Sequence, residues 1–408
     1  MIRIAHVWST DLGLALSVPH MKRYIDRGWE VYGISPPGPR RAELERAGVH
    51  WLPHPLERRL NVQTDALGCY SLYRTFRQHR FHIVHGHNVK TGILARLVAA
   101  AARVPVVVQT HHGLIYHTDS PPLLRHGGAA LERLASHVSH RTFMQSQDDL
   151  RTLLVTGGSR ESVLDLIGNG VDLKEFDSER FSPEERARIR AELGILPDEI
   201  AFFSAGRLVR EKGFLELFEA AELARAQNKK VRLVVAGPED KERNLGIDAQ
   251  TLARAQQNGV ILLGERKDMA RLYAACDVVV LASWREGIAR VLMEGAVMGR
   301  PLITSDARGC GLVVRPGWGF IVPMKNARAL ADKLLLLTEE SELRRSISEH
   351  NRREGRKEYD LERVLGRIEA AYYELLAQRG IVDPNAPKRS ANGASGHAAA
   401  DALHQQVG

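Results

Sequence analysis

Apolar runs of strand length alternate with stretches of helical length from the first residues onward. Ile2–Val7, Glu30–Ile34, Ile83–His85, Val106–Thr110 and Thr142–Gln145 read as strands, with helices at Leu14–Arg27, Gln63–His79 and Gly92–Ala102 between them. The order then restarts. Strands at Ala201–Ala205, Val231–Ala236, Val260–Leu263, Val278–Ala282 and Leu302–Thr304 alternate with helices at Leu215–Arg225, Gln250–Gln257, Asp268–Ala275 and Ile288–Val297. Short strands separated by helices predict a parallel sheet with helices on both faces, so the chain reads as α/β, with two such layers in series. Turn formers at Gly168-Asn169-Gly170-Val171-Asp172 mark the join. Ser182-Pro183-Glu184-Glu185 then predicts a helix start, with Ser182 as N-cap, Pro183 at the first helical position and Glu185 as the reciprocal cap. A last strong helix spans 361–378 and stops at Gly380. Residues 381–408, rich in Ala, Asn, Ser, Gly and Pro, read as a disordered tail.

Composition narrows the class. The 408 residues are 44% hydrophobic and carry only 3 Cys, which excludes a disulfide scaffold. Cys69, Cys276 and Cys310 share no zinc spacing and suit a reducing, cytoplasmic setting. The opening Met1–Val7 reads as a strand and not as a secretory leader, and no run approaches a membrane span, so a soluble protein is expected. The net charge is +8, and residues 1–175 hold 21 Lys plus Arg against 15 Asp plus Glu, with 14 of the 17 histidines. Such a surplus suits nucleic acid, an anionic membrane or anionic small substrates. No recognition motif or aromatic-basic alternation supports nucleic acid.

Ligands of open parallel sheets sit beyond the carboxyl ends of the strands, so motifs there carry the functional argument. Gly206-Arg207-Leu208-Val209-Arg210-Glu211-Lys212-Gly213 follows one strand; Arg207 as a planar fork and Lys212 as a point charge suit a diphosphate. A solvated basic turn fits the same residues. Glu286-Gly287-Ile288 and Glu294 follow another strand, at the mouth of an apolar helix and eight residues further on. A carboxylate at each end and free amides between them make a grip for a sugar nucleotide; the alternative for Glu294 is an i,i+4 pair with Arg290. In the first half, His85-Gly86-His87-Asn88-Val89-Lys90-Thr91-Gly92 and Thr110-His111-His112-Gly113 also follow strands. Histidine there can orient a sugar hydroxyl or share a proton. A metal site is not supported by any helical ligand spacing. GxGxxG, Walker and GxSxG motifs are absent, and so is Asp-x-Asp, so no cofactor or metal is expected and the diphosphate charge falls to Arg207, Lys212 and the helix mouth.

Taken together, the Gly206–Gly213 loop and the Glu286-x7-Glu294 pair resemble the nucleotide-sugar glycosyltransferases of family 4, over about residues 1–378. Ile167–Asp172, Gly299–Asp306 and Gly317–Pro323 extend the likeness. His85–Gly92, Thr110–Gly113, Gln145–Leu150 and Arg308–Cys310 are similar to a bacterial branch that builds capsules, O-antigens, exopolysaccharides and polyprenyl-diphosphate-linked glycans. The resemblance implies the GT-B fold, two Rossmann-like parallel-sheet domains facing across a cleft. Residues 1–170 would be the acceptor-side domain, with helix 361–378 packing back on it, and 171–360 the donor domain. By position it implies Glu294 at the ribose, Glu286 at the donor sugar, Arg207 and Lys212 at the diphosphate, and Gly206, Gly287 and Ile288 as backbone contacts. Arg266 and Lys267 would line the base with Asn169 nearby, His112 would lie beside the transferred sugar, and Thr10, His87, Asn88 and Lys90 would face the acceptor. Gly311-Leu312 stands where relatives often have Arg-Glu, and Thr10–Gly13 where many carry a Gly-Gly loop.

The implied reaction is metal-independent, retaining transfer from a UDP-sugar, an N-acetylhexosamine or related hexose, to a lipid-linked saccharide. It would run at the cytoplasmic face of the inner membrane, where Arg40, Arg41, Arg58, Arg59 and Tyr73–His82 are candidates for contact with anionic lipid. A UDP-sugar 2-epimerase and an inactive sugar-nucleotide-binding subunit are the rival classes.

Overall fold

The computed structural model describes residues 1–56, 61–239 and 246–386. It forms two compact units, one of residues 1–168 resuming at Val364, the other spanning Asn169–Arg363. In the first unit β1 (Arg3–Val7), β2 (Glu30–Ser35), β3 (His50–Pro53), β4 (Ile83–His87), β5 (Val106–His111), β6 (Arg141–Met144) and β7 (Leu164–Leu166) form a parallel sheet ordered 3-2-1-4-5-6-7. In the second, β8 (Ile200–Ala205), β9 (Val231–Ala236), β10 (Ile261–Leu262), β11 (Val278–Leu281), β12 (Leu302–Ser305) and β13 (Gly319–Val322) run parallel in the order 10-9-8-11-12-13.

Both sheets are built from β-branched and aromatic runs buried on both faces, such as Val106–Val108 and Val278–Leu281, as parallel sheets require. Each core therefore has two layers. In the first unit, Leu14, Met21 and Tyr24 join Val364, Ile368 and Tyr372 on one face, and Leu72, Phe76, Ala95 and Ala99 cover the other. Helix Leu361–Gln378 is tied there by Glu369, whose buried carboxylate takes Arg23 Nε at 2.9 Å and Arg27 Nε at 2.7 Å.

Several local expectations need correction. The predicted helix Leu14–Arg27 is two helices, Asp11–Leu16 and Val18–Ile25, because Pro19 lacks the amide that would continue the first ladder and sits instead in the first turn of the second. Ser182 caps its helix by accepting from the Glu185 amide at 3.2 Å, but its hydroxyl donates to Glu184 at 2.7 Å in place of a reciprocal bond to the Glu185 carboxylate. Residues 381–386, assigned to the tail, pack on the first unit: Trp29 Nε1 donates to Asp383 at 2.7 Å and Asn385 Nδ2 to the Arg27 carbonyl at 3.2 Å. The remainder of that tail, 387–408, lies outside the described residues, as do Arg58 and Arg59. Among the described residues no helix is long and apolar enough to cross a membrane.

Candidate functional site

Both sheets reverse their winding order once, between β1 and β4 and between β8 and β11. Crevices of doubly wound sheets open at such points, beyond the strand carboxyl ends. The motifs picked from sequence stand there.

In the second unit, β8 runs into Gly206 and an exposed Arg207, while Leu208 and Val209 turn inward as anchors, 4% and 1% exposed. A 3-10 turn, Arg210–Lys212, follows and ends on Gly213 at φ 69°. A Cβ on Gly213 would sit 1.9 Å from the Ala282 carbonyl oxygen, so only glycine lets this turn lie against the end of β11. That approach delivers Lys212 Nζ to Glu286 Oε1 at 2.5 Å, where Ser283 Oγ also donates at 2.7 Å. The chain past Glu286 is held from the other side. Its amide donates to the Arg308 carbonyl at 2.9 Å, and Gly309, at φ 79°, packs where a Cβ would meet the Glu286 carbonyl at 2.2 Å.

The following helix begins at Arg290, two residues later than predicted. Gly287, Ile288 and Ala289 therefore lie on the approach to the helix, and among the described residues their amides donate to no protein group. Three consecutive unpaired N–H groups at a helix mouth make an anion cradle. Glu294 is buried at 5% exposure, with Oε1 taking Arg290 Nε at 2.6 Å and Oε2 taking the Tyr273 hydroxyl at 2.8 Å. The i,i+4 pair weighed from sequence is thus formed; Tyr273 was not foreseen. Burial raises the Glu294 pKa, with Arg290 and Tyr273 opposing it. Each oxygen keeps a lone pair, enough to accept a hydroxyl.

Other residues expected at the donor are differently occupied. Arg266 spends its fork on Asp268, at 2.8 and 2.6 Å, leaving the neighbouring exposed Lys267 as the accessible cation. Asn169 turns its side chain on itself, accepting from the Gly170 amide at 2.8 Å.

In the first unit, the ends of β1, β4 and β5 bring Thr10, His87, Asn88 and His112 together. Thr10 caps the helix Asp11–Leu16 through the Gly13 amide at 3.1 Å, and Asn88, at φ 62°, donates to Ser9 Oγ at 2.9 Å. Lys90 pairs with Asp65. His87 requires correction as an acceptor contact: it is 4% exposed, with one ring nitrogen 3.1 Å from His6 Nδ1 and the other 3.1 Å from His112 Nε2. His112 is partly exposed and reaches Gln145 Oε1 at 3.0 Å. Burial pushes all four imidazoles of the group down, His6 to about 3, His112 to about 4, and His85 and His87 well below the usual value. His6, His85 and His87 could each offer one nitrogen to a cation. His85, however, bonds both of its nitrogens, to the Tyr372 hydroxyl at 2.5 Å and to Thr110 Oγ1 at 2.7 Å. The cluster is a hydrogen-bonded core.

Comparison with known proteins gives the family. Residues 185–354 match the model for glycosyl transferases group 1, and residues 20–175 match that for glycosyltransferase family 4. The chain belongs to the family 4 glycosyltransferases of GT-B fold. It is 26% identical over 325 residues, 79% of this chain and 83% of the other, to the Escherichia coli UDP-Gal:α-D-GlcNAc-diphosphoundecaprenol α-1,3-galactosyltransferase. It is also 23% identical to the Campylobacter jejuni N,N'-diacetylbacillosaminyl-diphospho-undecaprenol α-1,3-N-acetylgalactosaminyltransferase, over 82% of this chain and 88% of that one. Among solved structures, Anabaena Alr3699/HepE in complex with UDP superposes with a TM-score of 0.76 at 20% identity, covering 92% of this chain and all (100%) of that one. In this family 4 glycosyltransferase the three amides and the acids Glu286 and Glu294 lie wholly within the second unit.

Proposed function

We propose that this glycosyltransferase moves a hexose or N-acetylhexosamine, with retention, from a UDP-sugar to an undecaprenyl-diphosphate-linked saccharide. One observation carries this reading. Lys212 and Glu286 meet beside three unpaired amides, with the buried acid Glu294 on the helix that follows them. Cation and amides suit the diphosphate, and the carboxylates suit hydroxyl groups. Lys212 and the amides oppose the negative charge that UDP develops as it departs, and Arg207, exposed on the same loop, adds a second cation. The departing diphosphate oxygen takes the proton of the incoming acceptor hydroxyl on the same sugar face, so no covalent intermediate on the protein is required.

The acceptor class finds support in the outer face of the first unit. Helices Val62–His79, Lys90–Ala101 and Pro122–His137 pack side by side. With Arg80 and Arg103, which follow two of them, they carry eight cations and two acids; Lys90 and Arg96 pair with the acids, Asp65 and Glu132, which leaves Arg74, Arg77, Arg80, Arg103, Arg125 and Arg133 as the surplus. Leu123, Leu131 and Leu134 stand 89%, 53% and 56% exposed, beside Arg133. Exposed leucines flanked by cations suit an anionic lipid surface. Arg40 and Arg41, by contrast, pair with Glu43 and Glu45. Leu131→Asp with Leu134→Asp is expected to lower sedimentation with anionic vesicles at least fivefold; unchanged sedimentation removes this face from the account.

The reaction itself is tested by incubating the protein with UDP-hexoses and an undecaprenyl-diphosphate saccharide. The expected product is an α-linked extended lipid, read by NMR of the anomeric proton. An inverted linkage overturns the mechanism, and an isomerised UDP-sugar formed without acceptor would favour an epimerase.

A further inference from the structure

The imidazoles of His6 in β1, His87 at the end of β4 and His112 just past β5 form a row with a direction. His6 Nδ1 lies 3.1 Å from His87 Nε2, His87 Nδ1 lies 3.1 Å from His112 Nε2, and His112 Nδ1 lies 3.0 Å from Gln145 Oε1. The rings are clamped: Trp8 stacks on His87 at 4.3 Å and 9°, and His85 lies 4.1 Å from the same ring. His6 and His87 are 3% and 4% exposed. A neutral imidazole carries one N–H and one lone pair, so each bond constrains the next. With the Gln145 oxygen as acceptor, His112 holds its proton on Nδ1 and accepts on Nε2. His87 must then donate from Nδ1 and accept on Nε2, and His6 must donate from Nδ1. The row ends on His6 Nε2, a buried nitrogen without a partner. The three rings and the Gln145 oxygen thus share one compatible proton order, with the proton on Nδ1 of each ring.

We propose that His6 and His87 are positioning residues that hold His112 as the Nδ1–H tautomer. His112 is thereby an N–H donor toward a hydroxyl oxygen of the transferred sugar, and Gln145 Oε1 marks where that acceptor comes. The proposal rests on the reading of His112 as the neighbour of the transferred sugar. Its chemistry needs no net proton transfer: the N–H of His112 stays on Nδ1 and exchanges one oxygen acceptor for another. The other tautomer would set the Nδ1 lone pair against the Gln145 carbonyl oxygen with no proton between them, and could only accept from a sugar hydroxyl where the Nδ1–H tautomer donates to it.

Selectively 15N-labelled histidine distinguishes the two tautomers by NMR in the ligand-free protein. His87→Phe keeps a ring between Trp8 and His85 and removes both hydrogen bonds, whereas His87→Gln keeps a donor and an acceptor. His112 is expected in one tautomer in the wild type and in a mixture in His87→Phe, with kcat about tenfold lower and an unchanged KM for the UDP-sugar. His87→Gln restores the single tautomer and most of kcat. Gln145→Leu, which leaves the buried stack untouched, gives the same mixture and covers the case in which His87→Phe does not fold. A wild-type 15N signature for His112 in both His87→Phe and Gln145→Leu overturns the proposal, as does a changed signature with wild-type kcat. If even the wild type transfers no sugar, the proposed function fails while the ligand-free spectra still decide the row.

Discussion

Lys212→Ala is expected to lower transfer about 10³-fold while the fold persists. The Lys212 ammonium is one of three side-chain cations on the loop after β8, with Arg207 and Arg210, and it lies against Glu286 at the mouth of the unpaired amides. Removing a preorganised group that meets developing anionic charge costs about 10²–10³ in kcat, and loss of a full charge stands at the upper end. The fold tolerates the change because Lys212 is partly solvated and Ser283 Oγ still donates to Glu286 at 2.7 Å. Glu294→Ala should differ in kind. With its carboxylate on the ribose, as we propose, it lies far from the bond that breaks, so the loss should fall mainly on KM for the donor. Near-wild-type turnover in Lys212→Ala would remove the assigned diphosphate grip.

Acid should unfold the first unit well above the range in which carboxylates titrate. His6, His85, His87 and His112 are held neutral by burial, each with a folded pKa below the ordinary histidine value. The sign follows from linkage. Below about pH 6.5 the unfolded chain binds protons that the folded chain refuses, so stability falls as pH falls, until the folded pKa values near 3–4 are reached. Four such groups remove on the order of 5 kcal/mol between pH 7 and pH 5.5, comparable to the whole stability of many domains. Trp8 stacks on both His87 and His112 and reports the event. The urea midpoint read by tryptophan fluorescence should fall steeply over that interval; a flat midpoint would show that these rings are solvated or already protonated.

Glu132 behaves oppositely and serves as a control. Burial alone would raise its pKa, but the Arg96 guanidinium at 2.6 Å, with His111 behind it, holds it at about 2. Its contribution is present above the unfolded value near 4 and is lost only as pH falls toward 2.

The central strands of both sheets were legible because they are continuous apolar runs between turn formers. The strands missed were at or near the edges. His50-Trp51-Leu52-Pro53 and Leu164-Asp165-Leu166 are short and carry polar residues or proline, so neither alternation nor an apolar run announces them. Pro19 was a readable break within the first helix. At the site, the loop 206–213 and the acids Glu286 and Glu294 were visible as local motifs. Their partners were not, since Lys212 and Glu286 are 74 residues apart and Tyr273 and Glu294 are 21 apart, distances that only the sheet order closes. His6, alone in its strand, gave no signal that it ends a row. Leu131 and Leu134 repeat at a helical spacing that ordinarily means core, and only the fold shows them facing outward.

Calorimetric titration with UDP, on the wild type and on Glu294→Ala, bears most directly on the claim that the second unit grips a uridine nucleotide. Saturable binding of one UDP per chain, weakened at least 30-fold in the variant, is the predicted outcome. Absence of UDP binding by the wild type, or equal binding by both proteins, would contradict it.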